Sequence, residues 1–528
     1  MSALRVASLA RLAAGAVGFA ARRPGAARAA SRLSDRIGRR AERFRATLES
    51  AVWSRPESPW RRLLVAAGVE PGDVERLLRG EGVEGTLAEL ARHGVRASVA
   101  ELRGLESIRR GSLVFAARAE EFHNPRLAGA AIAASTSGTA GPRLAAPYGW
   151  RLFAEEADAE RLLFEAHGLA RQPVALWYPA LPGIAGLHNA MLHWRGGRAV
   201  SRWFSHTPAP SWREAPMLRL LHEGISALGA LRGSARARHL PLERAVEVAE
   251  WLAEGVRRGE RRVLKTFASS AVRVAGAARA AGLDLGGQVV FAGGEPLTSE
   301  RRRALAEVGL AVWPRYAATE VGIIAGACAE PERAGAMHLY LDRLAVLAGG
   351  RPAAAPGAPG AAGELAFTSL APSAPLVLIN ADLGDTGALA RCQCGCALGA
   401  AGCDQVVGEI ASPGKFAAEG IKLLAVQAAE AAAAAVGTAG GGPDDVQVRW
   451  RDEGAEPARL VVAISPRLDL DLERLELDLL AGIAALAGGS LAGRLWREAG
   501  TLRVVREEPR PGAGAKAASI VEECEVRP

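Results

Sequence analysis

After residue 127 the chain alternates short apolar runs with stretches of helical periodicity, and no other feature narrows its fold as much. The runs read LAGAAIAAS (127–135), PVALWYPA (173–180), QVVFAGG (288–294) and LAVWPRY (310–316), with helical stretches such as 298–308 between them. Strands of four to eight residues alternating with helices predict helical layers on a largely parallel sheet. With 528 residues, 49% of them hydrophobic, the chain can bury more than one core.

Other stretches divide the chain. Residues 59–106 carry a helical pattern, and GGRPAAAPGAPGAAG (349–363) is a flexible loop before the strand GELAFTSL. Beyond residue 404 the pattern predicts an Ala-rich helix at 426–436, strands near 446–450 and 460–464, a helix from 470 and a strand at 502–505. The expected organisation is therefore a basic Ala/Arg-rich arm (1–50), disordered or loosely helical; a large α/β domain (51–404) of layered sheets and helices; and a small, mobile α+β lid (405–528) hinged at Asp404.

Charge excludes one class of partner. Eleven Arg and three acids in residues 1–50 account for the whole net charge of +8. The body is neutral, so nucleic acid is not expected as a partner. The arm's apolar stretch (6–21) is broken by Arg11 and too short to span a bilayer. It reads as a targeting peptide, a helix on anionic lipid, or a loose tail. Four of the six cysteines crowd into 392–403, which suits a reducing, cytoplasmic setting and a metal better than a disulfide framework.

The apolar run at 127–135 ends in STSGTAGPR (135–143). Gly138 and Gly141 permit positive φ, the hydroxyls of Ser135, Thr136, Ser137 and Thr139 accompany successive amides, and Arg143 adds a cation. This is either a solvated turn or a polyphosphate cradle, and it is not a Walker A loop. Three further strand ends bear on the choice: FAGGEPLT (291–298) with Gly293, Gly294 and Glu295; PRYAATEVG (314–322) with Tyr316, Thr319 and Glu320; and LINADLGDTG (378–387), which places Asp385 after Gly384 in a tight turn. Glycine-lined strand ends are how an open α/β sheet builds a nucleotide crevice.

In that order the four motifs resemble the adenylate-forming superfamily of acyl-CoA synthetases, most of all its phenylacetate–CoA ligase branch, with this chain a divergent member. The resemblance runs from about residue 59 to the C-terminus. It implies ATP-dependent activation of a small carboxylic acid to an acyl-adenylate, then transfer to coenzyme A or to the phosphopantetheine of an acyl carrier protein. It implies that residues 135–143 hold the phosphates, Gly293, Gly294 and Glu295 lie at the base, Tyr316 flanks adenine and Asp385 accepts the ribose hydroxyls. Glu320, with Thr319 beside it, would hold Mg²⁺. Lys516, in PRPGAGAKAAS, resembles the catalytic lysine of the small domain and reads equally as an exposed tail lysine. Cys328, His338, Cys392 and Cys394 resemble a structural Zn²⁺ set, with Cys396 or Cys403 able to replace one ligand. Trp177, Tyr178 and His188 are candidate acid-pocket residues or core packing.

Three departures mark the divergence. Cys403 stands before Asp404 where the family carries a hinge arginine, Asn380 and Ala381 replace an Arg-Tyr pair, and the phosphate loop is one residue short with Arg143 for Lys. The alternative function is a nucleotide- or acyl-binding protein of the same fold, impaired in turnover and acting as an assembly partner.

Overall fold

The computed structural model describes residues 19, 25–127, 131–135, 145–180, 183–213, 215–331, 335–354, 360–413, 415–437, 441–451, 458–486, 490–509 and 520–523. Strands β1 (Ala131–Ser135) and β2 (Ala145–Gly149) form a separate antiparallel pair that flanks the predicted phosphate loop. The main sheet is built from β3 (Val174–Trp177), β4 (Arg202–Ser205), β5 (Ala237–His239), β6 (Val263–Phe267), β7 (Val289–Gly293), β8 (Ala311–Ala318), β9 (Gly322–Ala327), β10 (Met337–Leu339), β11 (Leu344–Ala348), β12 (Ala361–Ser369), β13 (Ala381–Arg391) and β14 (Gln405–Ala411). Its order is β11-β12-β13-β14-β10-β9-β8-β7-β6-β3-β4-β5. From β8 to β5 every pairing is parallel; from β8 to β11 every pairing is antiparallel.

The central parallel strands β3, β6 and β7 are buried along their whole length. Strand alternation divides their side chains between two cores. Val174, Leu176, Val263 and Val289 join one; Ala175, Trp177, Leu264 and Val290 join the other. The second core also takes Phe416, Leu423 and Trp496, which belong to the C-terminal part.

That part opens with the hairpin β15 (Lys415–Ala418) and β16 (Ile421–Leu424). A four-stranded sheet follows, ordered β19-β18-β17-β20 from β17 (Val446–Arg451), β18 (Arg459–Ile464), β19 (Leu502–Arg506) and β20 (Ile520–Glu523). The architecture is thus a large α/β unit followed by a small α+β unit. The passage between them falls after Ala411 and not at Asp404, because β14 hydrogen-bonds within the large sheet to β13 and β10.

The arm also departs from expectation. Residues 26–48 form two helices, α1 (Ala26–Gly38) and α2 (Arg40–Leu48), that bury Leu33, Phe44 and Leu48. Arg36 pairs with Asp158 at 2.9 Å and Asp342 at 2.8 Å, and Arg43 pairs with Glu155 at 3.0 Å. Two of these acids, Glu155 and Asp158, lie on α3 (Trp150–Ala166). No helix among the described residues is long and apolar enough to cross a membrane.

Candidate functional site

Tyr316 and Asp385 meet at the junction of the parallel and antiparallel halves. Tyr316 lies on β8, whose pairing with β9 shifts register between Tyr316 and Ala317. Asp385 lies on β13, where Glu364 faces Thr386 but Ala366 faces Asp382. Residues 383–385 therefore bulge out of the ladder, and the expected tight turn at Gly384 and Asp385 is a bulge inside a strand. Gly384, at φ 75°, permits it. The bulge delivers the Asp385 carboxylate to Tyr316, whose Oη donates to Asp385 Oδ2 at 2.7 Å.

The other carboxylate oxygen accepts from Ser412 Oγ at 2.6 Å and from Lys415 Nζ at 3.2 Å. Burial alone would raise the Asp385 carboxyl, but Lys422 and Lys415, with hydrogen bonds from Ser412 and Tyr316, hold it below the ordinary carboxylate value. Burial, and next the Asp385 charge, push the Tyr316 phenol well above its usual value, so it stays a donor.

Thr319 and Glu320 form the turn from β8 to β9. Tyr148 Oη donates to the Thr319 carbonyl at 2.9 Å, and Arg103 Nη2 lies 3.6 Å from Glu320 Oε1. Gly322 ends the turn where a Cβ would strike Glu156 Oε1 at 2.2 Å. Glu156 in turn accepts from the Ile323 amide at 2.8 Å and pairs with Arg343 and His188. Below Tyr316, Arg315 reaches Glu160 at 2.7 Å and Asn189 at 2.8 Å, and the buried Lys265 pairs with the same Glu160. These buried charges fix β8 against α3 and against α4 (Ala185–Arg195).

Gly293 and Gly294 end β7 beside β8. A Cβ on Gly293 would lie 3.0 Å from the Arg315 carbonyl, and Gly294 has φ 77° and abuts the Phe267 ring. Glu295 departs from its expected place at the nucleotide. It accepts from the Ser269 amide and hydroxyl, both at 2.8 Å, and from the Gly420 amide at 2.7 Å, with Arg301 at 3.4 Å. It thus ties the turn to the start of α5 (Ala268–Ala280) and to the β15–β16 hairpin, and burial raises its carboxyl despite Arg301. Buried amides claim this carboxylate because they have no other acceptor.

Sequence reasoning missed Lys415, Ser412 and Arg103. The rarity of lysine, four in the chain, was the available signal for the first. Ser135 closes β1 opposite Ala145. Thr136, Ser137, Gly138, Thr139, Gly141, Arg143 and Lys516 lie outside the described residues. Trp177 is core, its Nε1 3.4 Å from the Leu240 carbonyl; Tyr178 donates to the Thr266 carbonyl at 2.9 Å; His188 is held by Glu156.

A second cluster joins Cys328, His338, Cys394 and Cys396, whose ligand atoms lie within 4.8 Å of one another. Cys396 stands where Cys392 was expected; Cys392 is buried outside the cluster and its amide donates to the Asp404 carbonyl. Cys394 and Cys396 Sγ each lie 3.2 Å from His338 Nε2, with 3.3 Å between the two sulfurs and 3.6 Å from Cys394 to Cys328. Tetrahedral ligands around Zn²⁺ stand about 3.7 Å apart at ordinary Zn–S lengths, so three thiols and an imidazole fit that ion. His338 Nδ1, 2.7 Å from the Cys403 carbonyl, donates to it in the tautomer that leaves Nε2 free for metal.

No protein-family model matches the chain, and no curated protein does. Among solved structures the chain is similar to a 2-hydroxyisobutyryl-CoA ligase in complex with 2-HIB-AMP and CoA: 15% identity, TM-score 0.50, covering 94% of this chain and 91% of that one. An open conformation of that ligase aligns at TM-score 0.38 and 16% identity over 75% of this chain and 78% of that one. A fatty acid AMP ligase from Legionella pneumophila aligns at 0.36 and 11% identity over 72% and 66%. The first of these is a likeness of fold across nearly the whole chain, large and small units together.

Proposed function

We propose that the chain is an ATP-dependent, AMP-forming acid–thiol ligase. A carboxylate attacks the α-phosphate of ATP, pyrophosphate leaves, and a thiol of coenzyme A or a carrier phosphopantetheine takes the acyl group from the adenylate, releasing AMP. The observation that carries this reading is the contact of Tyr316 with Asp385 beside the Gly293 turn, in a fold shared with a ligase that holds an acyl-AMP and CoA.

Each side chain has a role on this reading. Asp385, ionised and brought to Tyr316 by its bulge, accepts ribose hydroxyls. Tyr316 flanks the adenine, and the bare backbone at Gly293 and Gly294 admits the flat base. Residues 135–143 cradle the phosphates. Glu320 would hold Mg²⁺, and the ion would supply charge neutralisation for the leaving pyrophosphate. Lys516 comes from the small lobe, which would turn between the half-reactions. The phenylacetate–CoA ligase-like branch is the finer reading, supported by the Cys/His cluster, and a small acid is the substrate.

The test is pyrophosphate release from ATP and Mg²⁺ with a panel of aryl and alkyl acids. Acid-dependent release is expected. Absence of release with every acid, while ATP still binds, would favour a binding protein without turnover.

A further inference from the structure

Lys415 stands where the described parts of this site converge. Its Nζ donates to the Leu383 carbonyl at 2.7 Å and lies 3.2 Å from Asp385 Oδ1, with its side chain 11% exposed. Those two acceptors occupy two of the ammonium's three N–H bonds. Gly384 keeps the path open, since a Cβ there would come within 2.8 Å of Nζ. The ammonium also lies in the field of Glu320. Burial weighs against its charged form more than Asp385 supports it, so a further anion at this point stabilises it.

Asp385 accepts from Tyr316, Ser412 and Lys415, which fill three of a carboxylate's roughly four acceptor sites. A ribose that donates both of its hydroxyls to this carboxylate therefore displaces one of the three. The Lys415 contact is the longest of them, and its flexible stem lets the ammonium turn away without moving a strand. A ribose seated there brings a 5′-phosphate to the vacated cation.

We infer that Lys415 binds the 5′-phosphate of the nucleotide, exchanging Asp385 for a phosphate oxygen as the ribose arrives. This rests on the nucleotide reading of the site. It assigns the phosphate-binding charge to the start of the β15–β16 hairpin, and so couples nucleotide binding to the element that leads into the small lobe.

Calorimetric titration of the full chain with adenosine and with AMP, both without metal, tests the inference. AMP should bind wild type more tightly than adenosine. K415M should weaken AMP about ten- to a hundredfold more than it weakens adenosine, the size of one charge-assisted hydrogen bond. K415R should restore most of the AMP affinity; K415Q replaces K415M if that variant does not fold. Unchanged AMP affinity in K415M, or equal loss for both ligands, would overturn the inference and leave Lys415 a staple of the hairpin. A wild-type chain that binds neither ligand would instead remove the nucleotide reading itself, and this inference with it.

Discussion

Asp385 and Glu295 are both buried acids beside glycines, yet their surroundings give them opposite tasks. Asp385 faces a phenol, a hydroxyl and an ammonium, side chains that can yield to a ligand. Glu295 faces backbone amides that cannot. D385N should therefore weaken adenosine binding at least tenfold. Y316F, which loses one neutral hydrogen bond and keeps the ring, should cost about three- to tenfold; titration calorimetry checks both. E295A should instead destabilise the fold by about 3–5 kcal/mol, since it takes the acceptor from two amides and the paired carboxylate from Arg301. Because the Glu295 carboxyl is raised in the fold, the native state keeps a proton that the unfolded chain loses near pH 4.3. Wild-type stability should fall as pH rises from there through the folded value, and E295Q should flatten that slope in melting curves. The motif GGEP marks the turn in the sequence but not which way its acid points. Lys415 was less legible still, because its partners Leu383 and Asp385 lie 32 and 30 residues away.

At the scale of elements, the informative features are irregularities. The bulge at residues 383–385 depends on pairing with β12, so the motif LGDT reads as a turn when seen alone. The cysteine cluster was legible in kind, and its membership was settled by how the chain runs beyond Arg391. Replacing Cys394 and Cys396 with Ser should abolish about one bound Zn²⁺ per chain by metal analysis, whereas C392S should retain it. The N-terminal helices were misread because their partners Asp158 and Asp342 are distant in sequence. R36A removes the cation that Asp158 shares with Asp342, leaving Asp158 its pair with Arg32, and should lower the melting temperature, at a cost of about 1.5–3 kcal/mol.

For the whole molecule, β3, β7 and β8 of the parallel half were readable because their buried runs are largely apolar, whereas β4, β5 and β6, which carry Arg202, Arg238, His239 and Lys265, were not. Of the antiparallel half only GELAFTSL, in β12, was legible as a strand, since the others are short or rich in Ala and Gly. The site sits where the two halves join, with β7 and β8 on one side and the β13 bulge on the other. The hairpin holds the small lobe against the same place, through Gly420 on Glu295 and Arg273 on Glu419 at 2.7 Å. The account turns on this junction being a nucleotide site, and a co-crystal structure with a non-hydrolysable acyl-adenylate analogue tests that most directly. It should show the ribose hydroxyls within hydrogen-bond distance of Asp385 and the adenine against Tyr316. An analogue bound elsewhere, with Tyr316 still bonded to Asp385 and no ligand beside them, would contradict it.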